Sequence, residues 1–94
     1  VIEVITPAEI EESVQVHGTQ VQILNLYQPY ETQPEAIEGE LAIPFMALRN
    51  HNHELSTEIV YAVRGPASLK INLLGAYLLN EAGHTAYVLA ADPA

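Results

Sequence analysis

Short stretches of alternating or continuous apolar character, cut by Gly and Pro, run through most of the chain. Residues 1–5 read as a short strand. Thr6-Pro7-Ala8-Glu9 carries the marks of a helix start, with Thr6 as cap, Pro7 in the first turn and Glu9 at the capping-box position. That helix is expected to run to about Ser13. Residues 14–17 alternate, Gly18 marks a turn, and residues 19–26 alternate again, with Val21 and Ile23 on one face and Gln20 and Gln22 on the other. This pair predicts a β-hairpin. Residues 28–39, with Pro29, Pro34 and three glutamates, read as a polar loop, and strand character resumes over 40–48. Residues 59–63 form an apolar run ending at Gly65. Beyond the turn at Gly65-Pro66, strands are expected over 68–74, 76–79 and 85–90, with Gly75 as a break. Short strands every 8–12 residues predict an all-β sandwich or barrel. Residues 59–63 and 87–91 are apolar on both faces, so each is expected to be covered twice, once by the core and once by a second subunit.

Composition narrows the possibilities. Ninety-four residues make a single domain, residues 1–94, which buries about two-thirds of its unfolded surface. With no cysteine, disulfides and zinc-thiolate sites are excluded. The longest apolar stretches, 73–79 and 86–91, fall far short of the ~20 residues that span a bilayer. No signal peptide is visible, and a cytoplasmic location is the default expectation. The net charge is −9, and Glu3, Glu9, Glu11, Glu12, Glu31, Glu35, Glu38 and Glu40 all precede the first basic residue, Arg49. With Arg49, Arg64 and Lys70 as the only Lys or Arg side chains, no patch can neutralise several phosphates, so nucleic acid and anionic membranes are disfavoured as partners. The acidic half reads as a solubility device or as a docking face for a basic protein.

Candidate chemistry centres on residues 49–65. His51 and His53 lie two apart, so an extended backbone would send both imidazoles from one face, and Glu58 opens the following apolar run. Two imidazoles and a carboxylate on one wall suit a divalent metal. Read otherwise, Glu58 is a strand-entry carboxylate paired with Arg49 or Arg64. No nucleophile–base–orienter set accompanies Ser13, Ser56 or Ser68, and no glycine-rich phosphate loop is present.

His51-X-His53, then Glu58, then Gly65 resembles the first motif of the cupin superfamily. Pro44 ahead of it, and Tyr77, Leu78, Asn80 and Gly83 after it, resemble the branch typified by the cupin domain of ChrR-type anti-sigma factors. The resemblance covers roughly residues 40–90. It departs from the family at Phe45, where Gly is usual, and at Glu81, Ala86 and Ala90, which replace Pro, His and Asn; Ala86 occupies the position of the last histidine ligand. The implied fold is a small double-stranded β-helix (jelly-roll) barrel with one short N-terminal helix. The implied function is a stand-alone ChrR-like domain holding a divalent metal through His51, His53 and Glu58 beside a small-molecule pocket. Zinc is the first expectation, with iron, manganese or nickel compatible. His84 is either a fourth ligand, shifted along the strand, or a pocket residue. Metal-dependent catalysis is left open. Ala86 and Phe45 favour an alternative, a metal-free dimeric cupin acting as a binding or protein-interaction module. A homodimer is expected in either case.

Overall fold

The computed structural model describes residues 3–27, 39–65 and 70–90, with the side chains of Arg49 and Asn52 outside the description. The described residues form a five-stranded sheet in which every pairing is parallel. In chain order the elements are β1 (Val4–Ile5), α1 (Pro7–His17), β2 (Val21–Asn25), β3 (Leu41–Ala42) and a 3-10 turn (Phe45–Ala47). There follow the four-residue α2 (Leu48–His51), a second 3-10 turn (Asn52–Glu54), β4 (Val60–Arg64), α3 (Ile71–Glu81) and β5 (Thr85–Leu89). The strand order across the sheet is β1-β5-β4-β2-β3.

The first helix begins where its sequence signals place it. The Thr6 side chain accepts from the Glu9 amide at 3.1 Å, and the Glu9 carboxylate accepts from the Thr6 amide at 3.1 Å, a complete capping box behind Pro7. The helix continues to His17, past the expected stop at Ser13, and ends at Gly18 in the left-handed region (φ 66°), which glycine enters without a Cβ penalty. The hairpin expected over 14–26 is therefore replaced by the end of a helix followed by a strand. Val14 and Val16, which alternate like strand residues, are exposed on α1, and no residue of that helix is fully buried.

The middle of the sheet is β4. Its Tyr61, Ala62 and Val63 are buried, because β2 and β5 flank it and each face is covered. On one face Leu24, Leu26, Tyr61, Val63, Ala86 and Val88 pack beneath α3 and the segment containing Leu48. On the other, Ile5, Ala62 and Leu89 pack with Ile10 of α1. Burying side chains such as Leu24, Leu26 and Leu79 contributes about 1.5–3 kcal/mol each. The two-sided burial expected of the 59–63 run is thus present, supplied by helices of the same chain.

The largest departure from the sequence expectation lies between β4 and β5. Residues 71–81 form one helix instead of parts of two strands. Ile71, Gly75, Ala76 and Leu79 recur at helical spacing and face the core, and Leu and Ala are strong helix formers. The β4–α3–β5 unit is the crossover that parallel neighbours require, since a tight hairpin joins only antiparallel strands. Gly75 is the point of closest approach: a Cβ there would run into Leu26 Cδ1. The glycine taken for a strand break is where the helix sits down on the sheet. The 40–48 strand is likewise reduced to β3, followed by the 3-10 turn and α2. The architecture is α/β, and the all-β jelly-roll barrel of the cupin resemblance is corrected accordingly. Of the polar loop expected over 28–39, all but Gly39 falls outside the described residues.

Candidate functional site

In an open parallel sheet, ligands collect outside the carboxyl ends of the strands, where successive connections depart in opposite directions. Here that point lies between β2 and β4, which are neighbours with Asn25 opposite Arg64. After β2 the chain moves outward to edge strand β3, and after β4 it moves the other way to β5.

A largely shielded polar cluster occupies this position. Asn25 ends β2, Arg64 ends β4, and Glu40 immediately precedes β3. The Arg64 guanidinium donates through Nη1 to Glu40 Oε2 at 2.8 Å, and the two side chains are only 12% and 10% exposed. Asn25 Nδ2 donates to Glu40 Oε1 at 3.0 Å, and Asn25 Oδ1 accepts from the Tyr27 amide at 2.8 Å. Each carboxylate oxygen therefore takes a different donor, and the arrangement fixes which end of the Asn25 amide is oxygen. Main-chain bonds hold the frame: Leu26 N to Arg64 O at 2.9 Å and Ile43 N to Asn25 O at 2.9 Å. The cluster ties the ends of three strands together and presents no nucleophile. None of its members was singled out as a site residue from the sequence. The available signals were a polar Asn25 inside an apolar run and an arginine at a strand end directly before Gly65.

The residues expected to hold metal are dispersed among different elements. His51 ends α2 and pairs through Nδ1 with Glu54 Oε2 at 2.9 Å. That hydrogen bond and the nearby imidazole charge, with a smaller contribution from His53, hold the Glu54 carboxyl below its ordinary value of 4.5. His53 is exposed in the 3-10 turn. The backbone here is helical, so residues two apart point in different directions, and the shared face assumed for His51 and His53 is lost. Glu58 is exposed in the turn before β4, its amide donating to Ser56 Oγ at 3.1 Å. Arg64, at the far end of β4, pairs with Glu40 and so does not serve Glu58.

His84 is buried ahead of β5, its ring set edge-on to Tyr61 with centroids 6.1 Å apart. Among the described residues, no group of three or more His, Cys, Asp or Glu could hold a metal ion. Ala86 has a packing role: it is buried beneath α3, and its backbone is bridged by Asn80, whose Nδ2 donates to Ala86 O at 3.0 Å and whose Oδ1 accepts from Ala86 N at 3.2 Å. Beside the His51–Glu54 pair lies an open groove of about 410 Å³ lined by Leu41, Ala42, Ile43, Pro44 and Leu55. The pair could polarise an imidazole, but among the described residues the groove lining supplies no hydroxyl or thiol for it to activate.

The chain matches no family model and no curated protein. Its fold, however, is shared with solved structures. A rhodanese-related protein from Thermoplasma volcanium is 20% identical with a TM-score of 0.74, over 95% of this chain and 84% of that one. A rhodanese-like domain protein from Staphylococcus aureus is 18% identical with a TM-score of 0.71, over 96% and 86%. A full-length protein from Lactobacillus plantarum is 22% identical with a TM-score of 0.77, over 93% and 74%. The fold is therefore rhodanese-like α/β. This overturns the cupin resemblance, and with it the ChrR-like, anti-sigma-factor-like reading and the barrel-bound metal centre. No helix among the described residues is long and apolar enough to cross a membrane.

Proposed function

We propose that this chain is a rhodanese-like binding module that does not relay sulfur through a thiol of its own. Sulfur transfer by a covalent route needs a thiolate that attacks the donor, carries the sulfur as a persulfide and yields it to an acceptor. The 94 residues contain no cysteine. The observation that carries the reading is what stands at the switch point instead. There the Glu40–Arg64 ion pair, braced by Asn25, lies largely shielded from water at the ends of β2 and β4. The cluster spends its polar groups on its own members and on the Tyr27 amide, fixing the ends of three strands, and a rigid frame at that place suits recognition by the surface around it. The acidic balance of the chain, −9, favours a basic partner over a phosphate-rich one.

The test is thiocyanate formation from thiosulfate and cyanide. The expected rate with this protein equals the protein-free blank at any protein concentration. A rate that rises in proportion to protein and saturates with thiosulfate overturns the proposal.

A further inference from the structure

The third helix is apolar on two opposite sides. Ile71, Gly75, Ala76 and Leu79 face the sheet. Leu73, Leu74 and Tyr77 face outward and are 40%, 45% and 50% exposed. At about 100° per residue, these three fall within one arc of about 100°, and Lys70 and Glu81 fall in the same arc. A helix with apolar stripes on opposite sides ordinarily has both of them covered.

The charges at the two ends of this outer stripe say what would cover it. Lys70 sits at the N-terminal cap, in the left-handed region (φ 56°) and without a side-chain capping bond; Glu81 closes the last turn. Both are exposed. Each lies at the end of the helix macrodipole that disfavours its charge, since anions belong near the N-terminus and cations near the C-terminus. A second α3 laid antiparallel across the first removes both conflicts. With the two-fold axis near residues 75–76, Lys70 of each copy meets Glu81 of the other, and each Tyr77 meets the mate's Leu73 and Leu74.

We propose that the outer face of α3 is a self-complementary docking surface for a second copy of this chain. The contact is isologous, so every favourable pair occurs twice. One helix per subunit gives an interface at the small end of the range, below ~1,200 Å², and so a weak dimer. The proposal rests on α3 alone and stands or falls independently of the sulfur-transfer reading.

The experiment is sedimentation velocity on the full chain from about 10 to 500 μM, with circular dichroism confirming the fold of each variant. The wild type is expected to move from monomer toward dimer across that range. Glu81→Lys, which sets two lysines against each other twice, is expected to weaken association about tenfold or more, and the double swap Lys70→Glu/Glu81→Lys to restore it to within about threefold. A wild type that stays monomeric throughout overturns the proposal. So does a dimer indifferent to Glu81→Lys, or one that the double swap fails to rescue.

Discussion

Replacing Glu40 by Gln probes the polar cluster most sharply, because shape is kept while one charge and one acceptor are removed. The Glu40 carboxylate accepts from Arg64 Nη1 through one oxygen and from Asn25 Nδ2 through the other. Glutamine offers a single oxygen, so whichever donor it satisfies, the other faces an NH2 group. Losing a hydrogen bond to a charged group costs about 1.5–3 kcal/mol, and stripping one partner from a buried ion pair costs about 3–5 kcal/mol. The side chains here are 12% and 10% exposed, so some water screens them and the lower end, about 3 kcal/mol, is expected. For a chain of this size that is a large part of a total stability of roughly 5–15 kcal/mol. Urea unfolding followed by circular dichroism reads it directly: with a slope of about 1 kcal/mol/M, the midpoint should fall by about 3 M at unchanged slope. Arg64→Met paired with Glu40→Gln completes a double-mutant cycle, in which the double variant should lose less than the sum of the two single losses. A single-variant loss under ~1 kcal/mol, or strict additivity in the cycle, would refute the view that these side chains form one buried unit.

Two further outcomes follow from the packing and the electrostatics. Gly75→Ala gains about 1 kcal/mol of helix propensity but forces the fully buried Leu26 aside at about 1–3 kcal/mol. The melting temperature should therefore drop by several degrees (about 4–8 °C per kcal/mol), and a rise would contradict the close seat of α3 on the sheet. The Glu54 carboxyl, held down by His51, should titrate by carbon-detected NMR below its ordinary 4.5. Because its folded value is the depressed one, its contribution to stability is fully present above about pH 4.5 and disappears as the pH falls through the lower folded value. A midpoint at or above 4.5 would contradict the pair.

Some of this architecture was legible in the residues and some was hidden for identifiable reasons. Thr6, Pro7 and Glu9 announce the first helix because capping is a local interaction, independent of the rest of the fold. The two-sided apolar character of residues 59–63 and 87–91 was also visible; it marks a parallel sheet covered by its own helices as readily as one covered by another subunit. Residues 71–81 misled because Leu73, Leu74 and Tyr77 on the outer face fill the gaps between Ile71, Gly75, Ala76 and Leu79 on the inner one. The helical period is thereby erased, and Gly75 is left to look like a break. The His51, His53, Glu58 and Gly65 spacing matched a motif whose meaning depends on an extended backbone, whereas α2 and the following 3-10 turn coil that segment. Asn25, Glu40 and Arg64 meet only through long-range strand order, which no single stretch of sequence displays.

The most direct test of the whole account is the backbone of residues 60–89 in solution, read by NMR. Helical Cα shifts are expected without interruption over 71–81, together with inter-strand contacts that place Ala62 between Ile23 and Tyr87 in parallel register. Extended shifts over 71–79, or antiparallel contacts from β4 to either neighbour, would contradict the rhodanese-like fold and everything built on its switch point.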